Sequence, residues 1–140
     1  MDLPGLTYRG APLDDLDLLE RLPVPLQQLL AQRNGFVAWR GAIHVRGACL
    51  APAWHSLRAA MAGRPAGEVP FARDALGREF VLAGGKVWRE ERAGTRAEIA
   101  RDLVDFLQRL ATDPGGLLPL EALLAYEAAG HTLRPGEVLP

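Results

Sequence analysis

The stretch that decides the fold runs from Val69 to Arg89 and reads VPFARDALGREFVLAGGKVWR. Its apolar residues come in short groups, Val69 to Ala72, Phe80 to Leu82 and Lys86 to Arg89, separated by turn formers at Asp74 and Gly77 and at Gly84-Gly85. Runs this short, bounded by Gly and Asp, read as strands joined by tight turns, and three in succession make an antiparallel meander. Ala83-Gly84-Gly85-Lys86 lacks the upstream glycine spacing and the following Ser or Thr of a phosphate-cradling loop, and it joins two strands instead of opening a helix. It reads as a hairpin turn.

Upstream of the meander the pattern is first helical and then extended. Residues 1–12, with Pro4, Gly5, Gly10 and Pro12, read as an irregular arm. Leu13, Leu16, Leu19 and Leu22 recur every third residue between Asp14, Asp15, Asp17 and Glu20, which predicts a short amphipathic helix ended by Pro23 and Pro25. A second helix starts near Pro25, turns Leu26, Leu29 and Leu30 to one face, and stops at Asn34-Gly35. From Phe36 the period shortens. Phe36, Val37 and Trp39 lead to Gly41, and Ile43 and Val45 then alternate with His44 and Arg46, which predicts a hairpin with a half-buried second strand. Pro52 to Met61 reads as a helical turn and 63–67 as a loop.

Downstream, Thr95-Arg96-Ala97-Glu98 fits a capping box, in which the Thr oxygen accepts from the third helical amide and the Glu reaches back to the cap. The box predicts a helix presenting Ile99, Leu103, Phe106, Leu107 and Leu110, ended by Asp113-Pro114-Gly115-Gly116. A last helix spans Pro119 to Ala129, and the tail turns at Pro135-Gly136. Together these elements predict an α+β class: a mostly antiparallel sheet of about four to six strands with helices packed around it.

Composition bounds the function. The 140 residues carry 16 Lys and Arg against 17 Asp and Glu, with 49% hydrophobic residues, so a chain of this size can bury a core without a disulfide or metal. It reads as a single domain over 1–140. Its aliphatic content argues against disorder, and the absence of an apolar run of about 18 residues argues against a membrane span. The start of the chain offers no basic segment leading into an apolar one, and Cys49 is the lone cysteine, so the expected home is the reducing cytoplasm.

Charge is unevenly placed. Between Arg21 and Gly67 no Asp or Glu occurs, although Arg33, Arg40, Arg46, Arg58 and Arg64 do, which reads first as solvated arginines scattered over separate faces and second as a local positive field. Trp39-Arg40 and Trp54-His55 with Arg58 put aromatic and basic side chains together. A chain that is not basic as a whole and carries no recognition motif points away from nucleic acid. The tryptophans read as residues of the core or its edge, and the enrichment of Trp and Arg at protein interface centres keeps a partner-binding reading open beside that.

Chemistry-bearing constellations are sparse. Cys49, His44 and His55 fall within twelve positions, but no Cys-x-x-Cys or His-Glu-x-x-His pair accompanies them, so no metal or cofactor is expected and the cysteine reads as buried. Glu90-Glu91 and Asp102 with Asp105 read as solvated acids.

The order of features is informative where no catalytic signature is. Leu22-Pro23, Leu29-Leu30, Asn34-Gly35-Phe36, Gly47, Pro70-Phe71-Ala72 with Asp74 and Gly77, Phe80, Gly85 with Val87, and a closing helix through Leu103, Phe106 and Leu107 follow one another in a set order. This arrangement, from about Leu13 to Leu110, resembles the SUKH superfamily, whose eukaryotic members include the yeast cell-wall synthesis regulator. The resemblance implies an α+β domain that serves in bacteria largely as a non-enzymatic immunity protein, binding and neutralising a cognate toxin. It transfers no contact residue, and it leaves 111–140 as an additional C-terminal helix and tail. The positions expected to meet a partner come from the arginine-rich middle: Trp39, Arg40, His44, Arg46, Trp54, His55 and Arg58. A regulatory or scaffolding module is the second reading, and a small enzyme using Cys49, His44 and His55 the third.

Overall fold

The computed structural model describes residues 2–91 and 94–140. Two helices open the chain, α1 (Leu16–Arg21) and α2 (Val24–Gln32), followed by strands β1 (Phe36–Ala38) and β2 (Ile43–Val45) and a short helix α3 (Leu57–Met61). Four strands follow, β3 (Val69–Asp74), β4 (Glu79–Ala83), β5 (Lys86–Glu90) and β6 (Arg96–Ala100), and then helices α4 (Leu103–Thr112), α5 (Pro114–Leu117) and α6 (Leu120–Ala128). The strands form one sheet in the order β1-β2-β3-β4-β5-β6, every neighbouring pair antiparallel, with the helices packed around it. The fold is α+β.

Turn chemistry sets the meander. Gly84 and Gly85 take φ of 60° and 80°, the left-handed pair that a two-residue hairpin requires, and so join β4 to β5 without splaying them. At the β3–β4 turn, buried Asp74 accepts from the amides of Leu76 (2.9 Å) and Arg78 (3.0 Å) through Oδ1, and from Arg78 Nε (2.7 Å) through Oδ2. Phe71, Phe80 and Phe106 meet at ring distances of 5.4 and 5.1 Å, joining the sheet to α4. The core continues past the closing helix, taking in Leu117, Leu118, Leu123, Leu133 and Leu139. The added C-terminal segment is thus packed structure.

Three local expectations are corrected and one is extended. Arg96 to Ala100 form β6, so the Thr95 to Glu98 stretch caps no helix; the cap of α4 is Asp102, which accepts from the Asp105 amide at 2.7 Å. The Arg-Ala-Glu-Ile-Ala alternation is satisfied by pairing with β5, and that tertiary ladder outweighs the local box. In α1 the buried residue is Leu18, with Leu22 buried just past the helix end, while Leu16 is 56% exposed, because Asp15 caps the helix and sets its rotation. Asp113 does end α4, but it also caps α5 by accepting from Gly116 N (3.2 Å), with Pro114 at the first helical position. Finally, β2 is covered on both faces: Ile43 and Val45 lie in the core, and His44 and Arg46 are buried as well. The segment after β2 folds back over it, with Gly47 bridging Ser56.

The two edges of the sheet differ. On β1 the N-terminal arm supplies a partner: Thr7 N donates to Val37 O (2.9 Å), Val37 N to Tyr8 O (3.0 Å), and Trp39 N to Pro4 O (2.7 Å). Among the described residues no strand pairs with the outer edge of β6. No described helix is long and apolar enough to cross a membrane.

Candidate functional site

From Gly47 to Leu57 the chain carries no Asp, Glu, Lys or Arg. The middle of this run is nevertheless at the surface: Leu50 is 71% exposed, Trp54 is 36% exposed, and Ala51 and Ala53 are exposed between them. A large apolar side chain held in water forfeits on the order of 2 kcal/mol of burial energy. Contiguous exposed apolar surface of this kind is a common mark of an interaction site.

The loop is fixed from beneath. Asn34, buried, donates through Nδ2 to the carbonyls of Ala11 (3.2 Å), Pro12 (3.0 Å) and Ala48 (3.1 Å), and accepts from Ala48 N at Oδ1 (2.8 Å). Its own carbonyl receives His55 Nε2 at 2.9 Å. Leu50 N donates to Asp14 Oδ1 (2.8 Å), and Asp15 N to Ala48 O (3.2 Å). Gly47 N donates to His55 O and Leu57 N to Gly47 O, which closes the loop on itself. Gly35, at φ +80°, lies under His55; a Cβ there would overlap the imidazole and meet Val45 O at 2.6 Å. Asn34-Gly35 therefore does more than end α2: it forms the floor of the loop.

Above that floor lies an aromatic cluster. The Trp54 ring sits 4.8 Å from Tyr8, 5.3 Å from His44 and 5.5 Å from His55. Gly136 of the tail approaches so closely that an added Cβ would meet Trp54 at 3.0 Å. His44 Nε2 and His55 Nδ1 are 2.8 Å apart. Because the Asn34 carbonyl can only accept, His55 Nε2 carries hydrogen, His55 Nδ1 accepts from His44 Nε2–H, and His44 Nδ1 is an acceptor. That last atom is buried without a hydrogen-bond partner. Burial, His55, Arg46 and Arg73 together push His44 down to about 2, and burial lowers His55 too, so the pair is neutral.

The seven residues singled out from sequence separate into two groups. His44, His55 and Trp54 converge in this cluster. Trp39 is buried elsewhere, on a turn where Trp39 and Arg40 both take positive φ (47° and 55°). The arginines are matched by acids from outside the acid-free stretch. Arg40 pairs with Glu127 (3.0 Å), buried Arg46 with Glu79 (2.6 and 3.0 Å), and Arg58 with Asp15 (2.8 and 3.0 Å) and Asp17 (3.3 Å). Arg64 joins Glu90 in the same way. At Arg40, Arg46, Arg58 and Arg64 a positive field is thus countered by a paired acid. The acids read as solvated are engaged too: Arg64 and Arg96 hold Glu90 down to about 2, and Asp105 accepts from Arg101 N.

Cys49 is buried, and its thiol is pushed up by burial and by Asp14 and Asp15. Among the described residues no group of three His, Cys, Asp or Glu side chains could hold a metal ion. The chain matches no protein-family model, no curated protein and no solved structure.

Sequence reasoning missed Leu50, Tyr8 and Asn34. For Leu50 a signal existed, the charge-free run around it. For Tyr8 and Asn34 none did, because their roles rest on contacts with residues 14 to 46 positions away.

Proposed function

We propose that this chain is a SUKH-like immunity protein that binds and neutralises a cognate toxin by docking, with the 50–54 loop at the centre of its binding face. The observation that carries the reading is the loop itself: charge-free, exposed at Leu50 and Trp54, and fixed by the Asn34 and His55 hydrogen bonds. Interface centres are depleted in charge and rich in Trp, and a contact surface already rigid loses little entropy on binding. The element order, two helices, antiparallel strands and a closing helix, agrees with what the resemblance implies.

Inhibition of this kind makes and breaks no bond. Trp54 and Leu50 enter an apolar pocket on the toxin, and Arg58, exposed at the loop's far end, gives the contact a charged rim. The test is co-expression with the product of the adjacent gene. Rescue of growth by the wild-type chain, lost on Leu50→Asp with the fold retained, supports the reading. Rescue unaffected by both Leu50→Asp and Trp54→Ala removes the loop from it, and no rescue, with capture of an endogenous protein through the same loop, assigns the chain to regulation instead.

A further inference from the structure

Strand β6 ends the sheet with a row of backbone groups that no described strand meets. Glu91 N donates to Thr95 O at 2.8 Å, so the Thr95 carbonyl faces β5. Groups alternate along a strand, and the irregularity in β5–β6 pairing lies beyond Glu98. The N–H and C=O of Arg96 and Glu98 therefore point outward, while those of Ala97 point to β5. An open edge is normally protected by charge, since like charges repel an incoming strand. Here the two charges are opposite in sign and two residues apart, on one face of the strand.

We propose that β6 is a self-association edge: two copies of this chain pair antiparallel through β6, centred on Ala97, to make one continuous sheet across the dimer. In that register Arg96 of each copy lies opposite Glu98 of the other, and these are the pairs whose outward N–H and C=O groups exchange hydrogen bonds. The neighbouring registers fail on charge. Centring on Glu98 sets Glu98 against Glu98, and centring on Arg96 sets Arg96 against Arg96. A slip of one residue turns side chains to opposite faces. Charge, hydrogen-bond direction and face thus agree on one register. Arg96 is already oriented, 2.9 Å from Glu68 and 2.8 Å from Glu90, and Glu98 is 2.8 Å from Lys86, so the pairing extends an existing network. The surface is distinct from the 50–54 loop: β6 is at the opposite edge of the sheet from β1, and a dimer built on it leaves both loops free.

The experiment is sedimentation of the full chain over a range of concentrations, with amide hydrogen exchange. The expected result is a doubling of mass as concentration rises, accompanied by protection of the Arg96 and Glu98 amides. Glu98→Arg sets Arg against Arg and abolishes the dimer; Arg96→Glu sets Glu against Glu and does the same. A mixture of the two variants restores a dimer, because each then supplies the charge the other lacks. Circular dichroism confirms that each variant is folded. A wild-type chain monomeric throughout, a dimer unaffected by Glu98→Arg, or folded variants that do not associate when mixed overturns the proposal.

Discussion

His44 Nε2 lies 2.8 Å from His55 Nδ1, and the Asn34 carbonyl, 2.9 Å from His55 Nε2, decides which nitrogen of each ring carries hydrogen. The pair is closed to protons. A proton on His44 Nδ1 would sit buried, without an acceptor and in the field of Arg46 and Arg73. Its work is support: it holds the base of an exposed apolar loop.

That relationship makes folding sensitive to mild acid. Above about pH 6.5 both histidines are neutral in the folded and unfolded chain and contribute nothing to the difference. Below it the unfolded chain takes up protons that the folded one refuses, so stability falls by about 1.4 kcal/mol per pH unit through His44, held down to about 2 in the fold, and His55, lowered by burial, adds a loss in the same direction. Urea unfolding between pH 7.5 and 5 should show this slope, and His44→Phe should reduce it even though the variant is less stable. Carboxylates held low by arginines, Asp15 and Glu90 among them, add their own loss only in stronger acid.

Asn34→Ala removes three donated bonds and one accepted bond from a buried site, leaving the Ala48 amide without its acceptor. The expected cost is about 2–3 kcal/mol. Hydrogen exchange should show faster opening at Ala48 and Gly47, with the meander amides changed only as far as global stability changes.

Arg46 and Glu79 form a bidentate pair whose arginine is buried and also donates to Pro70 O at 2.6 Å. Glu79→Leu leaves that guanidinium without its counter-charge and should cost about 3 kcal/mol. Arg46→Met combined with Glu79→Leu should recover much of the loss, since two apolar residues need no desolvation of charge. Thermal melts of the two variants side by side give the answer.

Leu50 touches little, so Leu50→Asp should change stability by about 0.5 kcal/mol or less. Trp54→Ala, which also unpacks Tyr8 and both histidines, should cost more in folding. Toward the bound partner each should weaken affinity by about 2 kcal/mol or more, roughly thirtyfold, in calorimetry.

Much of the fold is legible in the sequence because its signals are local. Gly84-Gly85, Asp74, Pro23 and Asp113 act through φ angles and side-chain bonds to nearby amides. The Thr95 to Glu98 segment shows the limit of such signals: it reads as a helix cap, but β5 offers a ladder no local pattern records, and the segment joins the sheet. The proposed docking loop is half legible. Trp54 and His55 stand out by residue type, whereas Leu50 does not until its exposure is known.

By itself the sequence determined the α+β class, the antiparallel meander and the placing of most helices, since each depends on residues within a few positions of one another. Only the tertiary structure decided which charges cancel and which side chains meet. Arg46 reaches Glu79, Arg58 reaches Asp15, and Tyr8, His44 and Trp54 gather over Asn34, all across separations the chain closes only by folding. Burial and pairing are properties of that closure: the same residues that looked like a positive face in line became a neutral, hydrogen-bonded support once their distant partners arrived.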